Sequence, residues 1–365
     1  MRKSRLSLAV CLCTAAALIF VSCGKSTASS PDKNTGAESS SAQVTDSTSE
    51  YSGQTSAPEQ TSAPASDTPS ANRLSNPNAD EITSKVYDYI CENFGNKILS
   101  CQQESTWMGS PDYEMDYILE TTGKLPAMRG LDYMNNDFKG VNRRAIEWWN
   151  KGGLVTICWH TGVNGSGYQE SLDDNPDFDK LLTEGTAEYN AMMKSWDEAA
   201  TALTELRDAG VPVLWRPFHE FDGKWFWWGK GDSENFVKLW RLMYDKFTNE
   251  YGLTNLIWVL GYSGDVKTGW YVGDEYCDII GSDTYVNSTN LKAWKRLDAL
   301  NTNKPMAFHE CGNVPSVDKF VQDGCIWSWF MIWHTDHIKN NNAENLNKVY
   351  NDDMVITLDE LPEFR

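Results

Sequence analysis

The chain has 365 residues, with 51 acidic against 32 basic side chains and a formal charge of −19. That balance excludes a nucleic-acid partner, which needs a basic surface, and adhesion to anionic lipid through a basic patch. The 16 Trp, 15 Tyr and 13 Phe are more than a core alone calls for, and they point to indoles standing at a binding surface.

Residues 1–22 read as an export signal. Arg2, Lys3 and Arg5 precede an apolar stretch from Leu6 to Val21. Cys23 follows Ser22 directly, which resembles a bacterial lipoprotein signal. The expectation is an exported protein held at the cell surface by a lipid on Cys23, with no other membrane contact. Residues 23–78 are dominated by Ser, Thr, Ala, Pro, Gln and Gly, with Tyr51 as the only aromatic. Such a stretch buries too little apolar surface to offset the ordering of its backbone, so it is expected to be a disordered linker. Beyond it lie Cys91, Cys101, Cys158, Cys277, Cys311 and Cys325. None has CxxC spacing, so no metal site is expected of them. Export permits disulfides, with Cys91 and Cys101 the nearest pair, while Cys158, Cys277 and Cys325 read as small buried side chains.

Residues 79–365 have the size of a single (β/α)8 barrel. Eight short apolar runs are legible: Ile98–Cys101, Pro126–Gly130, Leu154–Trp159, Val211–Arg216, Asn255–Leu260, Cys277–Gly281, Pro305–Phe308 and Cys325–Trp333. Most are nearly continuous in apolar content, as parallel strands covered on both faces should be. Amphipathic stretches accompany them at Glu81–Phe94, Asn142–Asn150, Thr186–Ala209, Ser233–Glu250, Leu291–Leu300 and Asn342–Tyr350. Gly210 is suited to cap the third of these and Ser233 to start the fourth. No GxGxxG or Walker pattern follows the first strand, which weighs against a nucleotide cofactor.

In barrel enzymes the site is built at the C-terminal ends of the strands. Polar clusters fall there repeatedly: Gly130-Leu131-Asp132-Tyr133, Trp159-His160, Arg216-Pro217-Phe218-His219-Glu220, Gly281-Ser282-Asp283-Thr284-Tyr285, Phe308-His309-Glu310 and Trp333-His334. Four of the five histidines belong to this set. Glu220 and Glu310 each follow Phe-His and each close a strand. Two such carboxyls, about 5–5.5 Å apart across a barrel mouth, would suit the acid and nucleophile of a retaining glycoside hydrolase. The run Trp225-Phe226-Trp227-Trp228, five residues after Glu220, reads as a sugar-stacking loop, with one or two of its Trp packed beneath.

Taken together, these segments resemble glycoside hydrolase family 26, whose members are mostly endo-β-1,4-mannanases. Trp215-Arg216-Pro217-Phe218-His219-Glu220 with Trp225-Phe226-Trp227-Trp228-Gly229 is similar to that family's acid/base segment. Asp283-Thr284-Tyr285 and Phe308-His309-Glu310-Cys311-Gly312 are similar to its later segments. Ser100-Cys101-Gln102-Gln103-Glu104 and Gly130-Leu131-Asp132-Tyr133 resemble its N-terminal part.

The resemblance implies Glu220 as general acid/base and Glu310 as nucleophile. It implies His160 and His219 as hydrogen-bond partners of the sugar at the cleaved bond, and Tyr285 as the residue orienting the nucleophile. Trp225 and Trp333 would form stacking walls, and Asp283 would support the residues that touch the sugar. The implied protein is a monomer acting on a β-mannan polysaccharide with no cofactor. One departure touches the outer subsites: some members carry Arg where this chain has His334. The same pair of carboxylates would also serve a β-1,3-xylanase or a mixed-linkage β-glucanase. Two other classes compete, a glycan-binding surface lipoprotein without catalysis and a metal-dependent hydrolase using His160, His219 and Asp283.

Overall fold

The computed structural model describes residues 74–365. Cys23, the segment read as an export signal and most of the linker lie outside the described residues. Within the described residues, packing already includes positions ahead of residue 79, the expected start of the barrel domain. Leu74 and Asn76 are buried, and the Ser75 amide donates to Asp278 at 2.5 Å.

Eight parallel strands close into a barrel: β1 Ile98–Gln103, β2 Met128–Asp132, β3 Leu154–Cys158, β4 Val213–Arg216, β5 Leu256–Tyr262, β6 Ile279–Thr284, β7 Met306–Cys311 and β8 Trp329–Ile332. Each pairs with the next, and β8 pairs with β1 to complete the ring. A two-residue strand β9, Val355–Ile356, adds to the N-terminal half of β1 and covers the bottom of the seam. This is the (β/α)8 barrel expected from the alternating runs.

The principal helices are α1 Glu81–Asn93, α2 Tyr113–Thr122, α3 Phe138–Asn150, α4 Ala187–Asp208, α5 Ser233–Asp245, α6 Leu291–Asp298, α7 Val317–Asp323 and α8 Ala343–Tyr350. Two of them, α2 and α7, have no counterpart among the predicted elements. The first is acidic and ends in two Thr, and the second has seven residues, so neither carries a clear apolar stripe. α5 starts one residue away from the expected cap. Asp232 accepts from the Asn235 amide and Asn235 answers with its side chain, completing a capping box.

The indoles divide differently from the expectation. Trp148, Trp196, Trp215, Trp227, Trp228, Trp240, Trp258, Trp327 and Trp329 are fully buried, while only Trp107 and Trp225 are substantially exposed. Most of the aromatic excess is therefore core, filling the layer between sheet and helices. In the 225–228 run Trp227 and Trp228 are buried, in line with the one or two indoles expected beneath the loop, and Phe226 is buried with them. The Trp227 N–H donates to the Thr161 carbonyl and the Trp228 N–H to the His219 carbonyl, each at 2.8 Å, so these two brace the loop. All six cysteines among the described residues are free thiols, Cys91 and Cys101 included.

Candidate active site

The centre of the site is a buried arginine. Arg216, the last residue of β4, is wholly enclosed in the barrel mouth. Its Nε donates to Thr156 Oγ1 at 3.0 Å and its Nη2 to Gln103 Oε1 at 3.1 Å. Its Nη1 reaches both His309 Nε2 and Glu310 Oε1 at 3.0 Å. Since guanidinium only donates, His309 Nε2 must accept, and the ring proton sits on Nδ1. That proton is directed at Asp283 Oδ1, 2.6 Å away. Burial, with Arg216 beside it, pushes His309 down to about 3, so the ring is neutral.

Sequence neighbours on a regular strand face opposite ways, yet His309 and Glu310 meet the same guanidinium nitrogen. The register explains this. Ser282 pairs with Phe308 but Asp283 pairs with Glu310, so β7 carries one extra residue. The same irregularity appears against β8, where Phe308 pairs with Phe330 and Cys311 with Ile332. A bulge of this kind re-aims side chains beside a site. Space for the imidazole comes from two neighbouring strands. A β-carbon on Gly261 would lie 2.5 Å from the His309 ring, and one on Gly281 would lie 2.8 Å from its Cβ.

Glu310 thus accepts from Arg216 on Oε1, and from the Tyr285 hydroxyl on Oε2 at 2.9 Å. Although the Tyr285 ring is largely exposed, its hydroxyl end is enclosed, and that enclosure, with Glu310 next, holds the phenol well above its usual range, so it remains a donor. His219 Nε2 stands 3.8 Å from Glu310 Oε1. Burial, reinforced by the charges of His160 and Arg216, keeps His219 well below the ordinary histidine value.

Glu220 has different company. Trp225 Nε1 donates to its Oε2 at 2.8 Å, and its remaining neighbours are negative. Burial, then the charges of Asp283 and Glu310, push its carboxyl well above the usual range. Asp283 Oδ2 is buried with no donor among the ordinary partners. A proton on Glu220 supplies that donor. Burial, then the charge of Glu310, push Asp283 well above its usual range as well, while the hydrogen bond from Glu220 and the charge of Arg216 draw it back toward the anion. Five side chains form one relay: Glu220, Asp283, His309, Arg216 and Glu310.

The other expected residues lie around this relay. His160 Nδ1 is 2.6 Å from Asp132 Oδ2, and the His160 backbone amide donates to Asp132 Oδ1 at 3.1 Å. Burial works to lower the His160 value, but Asp132 outweighs it and the net direction is upward. The His160 and His219 rings stand 4.6 Å apart and nearly perpendicular. Trp333 lies 6.3 Å from His160 and 4.6 Å from His334, which is driven down to about 4 by burial and is neutral. Trp107, half exposed, meets the edge of His334 at 4.9 Å. The exposed rings Trp107, Trp225 and Tyr285 therefore all sit around the mouth of the barrel.

Sequence reasoning assigned no role to Arg216, Asp132 or Trp107. Arg216 carried a signal, a charge ending an apolar strand, whereas Trp107 lies in a loop with no motif. As for metal ligation, His160, His219 and Asp283 do not converge. The groups among the described residues whose ligand atoms do approach one another are Asp283, His309 and Glu310, and Asp132, Cys158 and His160. In the first of these, Arg216 already occupies the nitrogen and one carboxylate oxygen a cation would need.

Residues 75–360 match the model for glycosyl hydrolase family 26. A mannan endo-1,4-beta-mannosidase of Thermothelomyces thermophilus is 35% identical over 315 residues, covering 79% of this chain and 63% of that protein. A mannan endo-1,4-beta-mannosidase B of Piromyces sp is 31% identical, covering 80% of this chain and 54% of the relative. The chain thus spans between about half and two thirds of the length of these relatives. Among solved structures, a ruminal GH26 endo-beta-1,4-mannanase superposes with a TM-score of 0.75 at 31% identity, covering 82% of this chain and 72% of that one. The GH26-CBM35 beta-(1,4)-mannanase of Podospora anserina gives 0.72 at 33% identity, covering 83% and 72%. With the family model running across nearly all of the barrel, and the barrel mouth built from the segments that carried the resemblance, this chain belongs to glycoside hydrolase family 26.

Proposed function

We propose that the protein is a retaining, endo-acting β-1,4-mannanase. The observation that carries the reading is the contrast within one cleft between Glu310, held by Arg216 and Tyr285, and Glu220, held proton-up by burial and by Asp283. A nucleophile must be a carboxylate that is fixed and unprotonated, and an acid must keep its proton until the bond breaks. Glu310 Oε attacks the anomeric carbon while the Glu220 proton passes to the departing glycosidic oxygen. The result is a glycosyl ester on Glu310 and an ionised Glu220. Glu220 then takes a proton from water as that water displaces Glu310, and both carboxyls return to their starting states. His160 and His219 line the cleft beside the reacting sugar, and Trp225 and Trp333 offer ring faces on either side. The names of the relatives support mannan over other β-glycans as substrate.

The test is to incubate the protein with linear β-mannan, galactomannan, β-1,3-xylan and mixed-linkage β-glucan and to separate the products. Manno-oligosaccharides of several lengths, absent with Glu310→Ala, are expected. Products from another polymer alone would move the specificity within the family, and silence on all four would overturn catalysis. The reading extends to a monomeric protein anchored at the cell surface through a lipid on Cys23, a part supported by sequence alone. Loss of detergent-phase partitioning in Cys23→Ala is the expected result there.

A further inference from the structure

Asp222 follows Glu220 by two residues, and it is wholly buried outside the relay just described. Its Oδ1 accepts from the Ser263 amide at 2.8 Å and its Oδ2 from the Lys267 amide at 3.1 Å. The Lys267 ammonium donates to the Asp222 carbonyl. One side chain therefore ties the loop after β4 to the loop after β5. The connection continues inward. The Ser263 carbonyl accepts from Ser282 Oγ at 2.9 Å, and Ser282 is the chain neighbour of Asp283, the partner of Glu220.

The segment so tied is under backbone strain. Phe218 and Glu220 have φ of 52° and 54°, in the left-handed region that crowds a β-carbon against the following carbonyl oxygen. Such conformations persist only where the surroundings over-determine them. The Glu220 amide donates to the Gly261 carbonyl of β5 at 2.7 Å. The Gly223 amide also donates to the Glu220 carbonyl at 2.9 Å, which closes the turn around Asp222.

We propose that Asp222 is a positioning residue for proton donation: its two carboxylate oxygens clamp the β5 loop and so hold Glu220 in its left-handed turn, facing the leaving-group oxygen. The inference rests on the reading of Glu220 as the acid. An Asn at this position has one acceptor for two amides and turns an N–H against the other, so the clamp opens while the volume is kept. In kcat/KM, which reads the first step and not the later attack of water, a misplaced acid hurts only where the leaving group needs its proton.

The experiment compares the full chain with Asp222→Asn on two β-mannobiosides, one with a phenol leaving group and one with dinitrophenol. On the phenol substrate kcat/KM should fall by about tenfold or more, since misplacement by a fraction of an ångström is enough for that. On the dinitrophenol substrate, which departs without protonation, the loss should be within about twofold. A residue that only supports the fold would lower both equally by lowering the fraction of active protein, and equal losses overturn the proposal. No cleavage of either substrate by the unaltered protein would overturn the glycosidase reading and this proposal with it. Should Asp222→Asn fail to fold, Lys267→Met decides. It removes a contact from an exposed side chain, and a smaller loss confined to the phenol substrate supports the clamp, while equal or no losses overturn it.

Discussion

Glu310 and Glu220 face one cleft from opposite sides of the barrel, and their surroundings differ in kind. Glu310 is nearly inaccessible and receives a guanidinium proton on one oxygen and a phenol proton on the other. Glu220 receives a single indole N–H, and its other neighbour is the buried acid Asp283. Identical side chains thus meet different surroundings: two donors fix Glu310 in place, while burial and negative charge hold the proton on Glu220. The bulge in β7 is the device on the Glu310 side, and the strained turn after β4 is the device on the Glu220 side.

Substitutions can break this asymmetry in order of expected size. Glu310→Ala should abolish turnover on every substrate, by about five orders of magnitude, whatever the leaving group, as measured by initial rates. Glu220→Ala should cost about 10²–10⁴-fold on polymer and far less on substrates with activated leaving groups. Equal losses across leaving groups would remove the acid assignment. Arg216→Met leaves Glu310 buried without its cation, and breaking a buried pair this way costs about 3–5 kcal/mol, visible as a lower midpoint in denaturant and a loss of activity.

Asp283→Asn tests the proton. With that negative charge gone, one of the influences raising Glu220 is lost and its pKa falls. Activity requires the protonated acid, so the alkaline limb of the kcat/KM profile should move to lower pH; an unmoved limb would mean the proton is held by other means. The smallest effect belongs to the rim. Trp107→Ala should raise KM on long manno-oligosaccharides by about three- to tenfold, as loss of one ring contact does, and leave kcat unchanged.

Much of this architecture was legible in the chain itself. Six of the eight helices and all eight barrel strands coincide with apolar runs of the right period, because a strand covered on both faces must be apolar along its length. The polar residues at strand ends were visible for the same reason, as interruptions. Helices α2 and α7 escaped because short acidic or seven-residue segments show no stripe. The indoles misled in number, since an indole that fills a gap between sheet and helix has the same composition as one that stacks on a sugar. Arg216 was visible as a residue but not as a hub. Its partners are Gln103, Thr156, His309 and Glu310, on three other strands that no local pattern connects.

Sequence alone, then, determined the barrel, the strand ends that carry chemistry and the two carboxylates, because these follow from periodicity and from residue types at fixed offsets. Tertiary structure decided which carboxylate keeps its proton. That choice depends on burial and on charges brought within hydrogen-bond reach from distant parts of the chain, on an extra residue in β7 that turns His309 and Glu310 to one side, and on a turn at Glu220 held by the loop of the next strand.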